Sequence, residues 1–190
     1  MSAPGATELL APRLLAGCRI AIAGEGFQDG GIAAALRDLA ASVEPLGEAQ
    51  LADEDAGVAW ARERAPLRAL IVDSRPAFAL GGHAGLDAAL ELAWRASRAV
   101  ATGALIEQEQ PGRIVFIGPS CTAGEHAGAT RAGLENLART LSVEWARFAI
   151  TATSIAPGAG TAEHELAALA CYLSSAAGAY FSGCALELTS

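Results

Sequence analysis

The sequence predicts an α/β fold: a doubly wound parallel sheet of about six strands, in the order 2-1-3-4-5-6, with helices on both faces. Three observations predict it. Short apolar runs such as RIAIA, ALIV and RIVFI alternate with longer segments of helical period. The first run ends in glycines, as a strand entering a tight turn does. The composition is 52% hydrophobic but only 5% aromatic, and its 21 glycines suit helices packed closely on a sheet. Crossovers in such a sheet are expected to be right-handed.

Taken in order, Arg19 to Ala23 is a buried strand. Gly31 to Ala41 is an Ala-rich helix with Leu36 and Leu39 spaced for one face. Ser42 to Leu46 is a weaker second strand, stopped by Pro45. Asp53 to Glu63 is a short helix whose acidic start suits the macrodipole. Ala69 to Val72 is a third strand, followed by a loop holding Pro76, Gly81 and Gly82. Leu86 to Glu107 is a long helix with Leu90, Trp94 and Leu105 at apolar positions, and Arg113 to Ile117 is a fourth strand. His126 to Phe148 is the clearest helix. Its Leu134, Leu137, Leu141, Trp145 and Phe148 share a face, while Glu135 and Arg139 pair on another. Ile150 to Ile155 is a fifth strand, Thr161 caps a helix running to about Ser175, and Cys184 to Leu188 is a sixth strand.

A chain of 190 residues is expected to form one domain over 1–190, with 1–12 as a loosely ordered leader. The net charge of -8 argues against a nucleic-acid role, because phosphate binding needs a basic surface. Cys18, Cys121, Cys171 and Cys184 lie far apart, with neither a redox nor a zinc spacing. Reduced, mostly buried thiols of a cytoplasmic protein are the expectation. Neither a signal peptide nor a membrane span is read from the chain. His83 and His164 are isolated, so no metal site is expected.

Three segments cover most of residues 112–188: Gly112 to Ser120 (GRIVFIGPS), Arg131 to Gly158 (RAGLENLARTLSVEWARFAITATSIAPG) and Leu166 to Leu188 (LAALACYLSSAAGAYFSGCALEL). The first resembles the strand before the catalytic serine in the short-chain dehydrogenase/reductase family. The second is similar to that family's catalytic helix, next strand and Pro-Gly turn, and the third to its final helix and strand. The first half of the chain is similar only in outline. The resemblance implies a Rossmann-like domain that assembles as dimers or tetramers through the long middle helices and the last helix-strand pair.

The residues that carry the family's chemistry are replaced. The chain has no lysine, and all 13 of its basic residues are arginine. By the resemblance, Ala127 and Arg131 occupy the positions of the Tyr-x-x-x-Lys pair. A methyl group cannot donate a proton to a carbonyl oxygen, and a planar guanidinium differs from an ammonium in shape and hydrogen bonding. Tyr172 and Tyr180 lie near the C-terminus. The sole asparagine, Asn136, is outside the Leu86–Glu107 helix where the family's catalytic asparagine falls. Ser120 stands near the catalytic serine position, in a shortened loop.

The glycine loop departs as well. A dinucleotide site wants G-x-G-x-x-G between strand and helix, so that backbone N–H groups meet the pyrophosphate. Gly24-Glu25-Gly26-Phe27-Gln28-Asp29 has aspartate in the third glycine's place, and Gly30 and Gly31 arrive late. Gly24, Gly26 and Gly31 are what remains of the motif. Glu25 and Asp29 stand where phosphate would lie. At ~5 Å and an effective dielectric of ~20, each like-charge pair costs on the order of 3 kcal/mol. Glu44 is spaced to meet an adenosine ribose, yet reads first as a solvated surface acid. Relative to the family, a strand-helix unit after the second strand is missing. So is the substrate lid after Pro157-Gly158, where only Ala159 and Gly160 precede Thr161.

These readings converge on a non-catalytic subunit. It is expected to be a structural or regulatory partner of an intact relative, or of itself, with no cofactor held. Two alternatives differ in class. One is an NAD(P)-dependent oxidoreductase acting on a ketone or alcohol, with His126 or Ser120 as proton donor; His126 reads first as a polar residue at a helix start. The other is a small-ligand binding module using the crevice at the strand ends. A nucleophile-base set of Ser120, Cys121 and His126 lacks a G-x-S-x-G elbow. Tyr172, Tyr180 and Phe181 are read as part core, part assembly surface.

Overall fold

Parallel strands covered on both faces need apolar residues at consecutive positions, and the short runs of this chain supply them. The computed structural model describes residues 6–24 and 31–189. Its strands are β1 (Arg19–Ala23), β2 (Ser42–Leu46), β3 (Ala69–Asp73), β4 (Gly112–Ile117), β5 (Ile150–Pro157) and β6 (Cys184–Leu188). They form one sheet in the order β2-β1-β3-β4-β5-β6, the expected order. Each neighbouring pair is parallel. The helices are α1 (Ala6–Leu9), α2 (Gly31–Asp38), α3 (Glu48–Leu51), α4 (Glu54–Glu63), α5 (Arg75–Phe78), α6 (Gly82–Val100), α7 (Ala127–Glu144) and α8 (Glu163–Ser174).

Alternate strand residues feed two cores. Ala21, Leu70, Val72, Phe116 and Ala152 pack against α4, α6 and α7. Ile20, Ile22, Ile71, Val115 and Ile155 pack against α2 and α8. Leu134 and Leu141 of α7 are buried in the first core, and Leu137, Trp145 and Phe148 pack against it. The Glu135–Arg139 pair closes at 2.5 Å. Leu10 and Leu14 pack on the second core and Leu15 is fully buried in it, so apolar anchors lie at and just beyond the end of the 1–12 segment.

Several element boundaries differ from expectation, each for a local reason. Helix α2 stops at Asp38 because Ala40 turns left-handed (φ 68°) and the Ala41 N–H bonds Leu36 O at 2.9 Å, a Schellman-type ending without glycine. Asp53 caps α4 rather than opening it, accepting from the Asp55 N–H at 3.3 Å, and α3 fills the link before it. Helix α6 begins at Gly82 and gives way after Val100 to a π-helical turn, Ala101–Leu105. That turn carries Gly103 against α4, where an added Cβ would lie 2.4 Å from Val58 O. The loop expected around Pro76 contains α5. Trp145 and Phe148 lie in and beside a 3-10 turn beyond α7. Thr161 is not the cap of α8; that residue is Ala162, whose N–H is met by Glu165 at 3.1 Å.

The thiols also differ from expectation. Cys171 alone is buried; Cys18 and Cys184 are half-buried and Cys121 is exposed, all free. Burial, with Asp38 nearby, pushes the Cys171 thiol up to about 12. No described helix is long and apolar enough to cross a membrane.

Candidate functional site

The carboxyl ends of β1, β3, β4 and β5 converge on the crevice where a doubly wound sheet binds ligands. The turn out of β1 presses close to β3. Gly24 has φ +96°, and a Cβ there would sit 2.2 Å from Asp73 O, so the position accepts only glycine. Glu25, Gly26, Gln28 and Asp29, the residues read above as unfit for phosphate, lie outside the described residues. Gly31 resumes the chain with φ +63° as the first residue of α2.

The side of the crevice beyond Gly24 is occupied by an ion network that the sequence did not reveal. Asp73, the last residue of β3, is 2% exposed. It accepts from Arg75 through the backbone N–H (3.1 Å), Nε (2.9 Å) and Nη2 (2.7 Å). The same guanidinium donates from Nη1 and Nη2 to Glu163, at 2.7 and 3.0 Å. Glu163 opens α8, and its Oε1 lies 3.2 Å from where a Gly31 Cβ would be. One carboxylate therefore stands over the start of α2, clamped by an arginine rooted at the end of β3. Burial opposes the Arg75 charge, but the bonds to Glu163 and Asp73 outweigh it and raise its pKa further. Arg75 in turn holds the Glu163 carboxyl below the usual glutamate value. The available signal was Asp-Ser-Arg-Pro directly after a buried strand, an acid and a base two residues apart at a ligand-binding edge.

Ala127 is fully buried at the start of α7, packed with Phe78 and Ala89. Phe78 belongs to α5, so the unforeseen helical turn brings a ring to the Ala127 methyl. Arg131, one turn on, points towards β6: its Nη2 bonds Glu187 at 3.0 Å, and Nη1 lies 3.5 Å from Pro157 O. With Glu187, Glu135, Ser154 and Gly158, it lines a groove of about 780 Å³ between α7, β5 and β6. Ser120 Oγ is 3.3 Å from Thr122 Oγ1, while the His126 ring lies against that of His83, centroids 4.5 Å apart and planes tilted by 52°. The structure thus leaves Ser120 and His126 in separate contacts. No cluster of three or more His, Cys, Asp or Glu suited to a metal occurs among the described residues.

Glu44 is not a solvated acid. It is half-buried between Arg19 and Arg64, 3.5 Å from each. Two arginines from neighbouring elements draw it in, a pairing that strand spacing could not show. After β5, Thr161 Oγ1 accepts from the Gly158 N–H at 2.8 Å and donates to Leu188 O at 3.2 Å. This short tie runs straight into α8. Tyr172 meets Phe181 edge-on at 6.1 Å against the second core, whereas Tyr180 is 94% exposed.

No protein-family model matches the chain, and no curated protein does. Among solved structures, it is similar to the citronellol catabolism dehydrogenase AtuB of Pseudomonas aeruginosa PAO1. That match has TM-score 0.73 and 23% identity, over 95% of this chain and 96% of that one. A short chain dehydrogenase from Mycobacterium avium aligns at TM-score 0.70 and 18% identity, over 92% and 83%. The Pseudomonas aeruginosa RhlG/NADP active-site complex aligns at TM-score 0.64 and 21% identity, over 94% and 98%. The chain therefore has the short-chain dehydrogenase/reductase fold.

Proposed function

We propose that this chain is a non-catalytic subunit on the short-chain dehydrogenase/reductase fold, a structural or regulatory partner of an intact relative or of itself. The observation that carries the reading is Ala127, fully buried beside Phe78, which the resemblance puts at the position of the family's proton-donating tyrosine. Hydride transfer to a carbonyl leaves an alkoxide that must gain a proton, and a methyl has none to give. Arg131, which the resemblance puts in the lysine's place, is engaged with Glu187. The Arg75–Glu163 bridge across the crevice and the direct tie from β5 to α8 support the same reading. So do the exposed Trp94 on α6 and Val143 on α7, which lie on the helices through which the resemblance expects assembly.

A second reading keeps NAD(P)-dependent ketone or alcohol chemistry with His126 as donor. Two observations favour it: a neighbour of the same fold is described as an NADP complex, and His126 adjoins Ala127. Titration of NADPH and NADH, followed through Trp60, Trp94 and Trp145 fluorescence, separates the two. The non-catalytic reading expects no saturation up to ~1 mM, where binding free energy is only about 4 kcal/mol. Saturable binding with turnover of any ketone, abolished by His126→Ala, overturns it.

A further inference from the structure

The network at the end of β3 has two unequal carboxylates. The Asp73 side chain is 3% exposed and fixed by three donors of Arg75. The Glu163 side chain is 49% exposed and reaches Arg75 from a helix start on the opposite wall of the crevice. Asp73 takes the Nε–Nη2 edge of the guanidinium, and Glu163 takes the Nη1–Nη2 end. Arg75 is thereby pre-oriented by a buried anchor. It presents a planar two-pronged donor to a partner that can swing into solvent. Such a fork matches carboxylate and phosphate oxygens alike.

We propose that Glu163 is a self-closure contact. Its carboxylate holds the end fork of Arg75 against phosphorylated ligands, which can engage that fork only by displacing it. This deepens the non-catalytic reading and rests on it. The charge count agrees: Asp73 and Arg75 cancel, so Glu163 leaves the closed network net negative and repels an incoming phosphate. Opening costs little at Glu163, since a half-exposed carboxylate regains most of its hydration on leaving. Nothing comparable frees Asp73.

Calorimetric titration with inorganic pyrophosphate tests this on the full chain. Glu163→Gln removes the charge at an exposed helix-start position, and Glu163→Asp, one methylene shorter, gives a second folded variant. Both are expected to bind pyrophosphate more tightly than the wild type, by ~10-fold or more for Glu163→Gln. Arg75→Lys in the Glu163→Gln background keeps a cation for Asp73 but loses the fork, and is expected to abolish the gain. Unchanged affinity in both Glu163 variants overturns the proposal, as does a gain that survives Arg75→Lys. Those failures leave the non-catalytic reading standing. Turnover by the wild-type chain would overturn that reading instead, whatever the pyrophosphate result.

Discussion

At the scale of single residues, Ala127 and Arg131 were singled out because the resemblance that gives them a role is carried by their neighbours in the chain. Asp73, Arg75 and Glu163 were not. Arg75 and Glu163 are 88 residues apart and meet only once the sheet brings the ends of β3 and β5 together. Glu44 failed in the same way, its partners Arg19 and Arg64 lying on other elements. The Arg75–Glu163 contact carries a pH signature. The hydrogen bond from Arg75 lowers the Glu163 pKa below its ordinary 4.5. A carboxylate depressed in the folded state adds stability that is fully present above its unfolded pKa. That stability is lost as the pH falls through the folded value. Urea melts of wild type and Glu163→Gln should therefore differ at neutral pH and converge as the pH drops below 4.5. A constant gap down to about pH 3 would mean that the bridge contributes nothing of the kind. The group is half-exposed, so the neutral-pH gap is expected to stay within ~1 kcal/mol.

At the scale of elements, β1, β3 and β4 were readable as short continuous apolar runs, the pattern of doubly covered strands, while β2 (Ser-Val-Glu-Pro-Leu) was the weakest signal. Helix ends were less readable. The end of α2 uses Ala40 in a left-handed turn, where glycine is the usual signal. Helix α6 changes to a π-helical turn at Ala101 with no proline or charge to announce it. The cause lies in packing: Gly103 meets the α4 backbone at Val58 with no room for a methyl. Gly103→Ala should therefore be destabilising although alanine is the better helix former. A clash with backbone cannot relax by side-chain rotation, so a loss of roughly 1–3 kcal/mol is expected in urea denaturation. The same substitution at Gly128, where nothing lies within 4 Å of an added Cβ, serves as the contrast and should be neutral or slightly stabilising. Equal behaviour at both sites would remove close packing as the reason for the turn.

At the scale of the whole molecule, the described residues leave large apolar side chains on the outside. Trp94 is 45% exposed on α6, Val143 76% on α7, and Tyr180 94% beside β6. Scattered apolar residues are ordinary on a monomer. A half-exposed tryptophan on a long helix is different, because tryptophan carries a disproportionate share of interface energy when a partner covers it. Strand β6 adds an open sheet edge, paired on one side only by β5. Assembly through these elements gives a concrete outcome in sedimentation velocity. The wild-type chain should form a dimer or larger species, alone or with an intact relative captured from its host. Trp94→Ala should weaken that association by ~30-fold, the equivalent of about 2 kcal/mol, while its thermal melt shows the fold retained. A wild-type chain that sediments as a monomer at high concentration and captures no relative would remove the subunit role. The Ala127-bearing fold would then need a task performed by one copy alone.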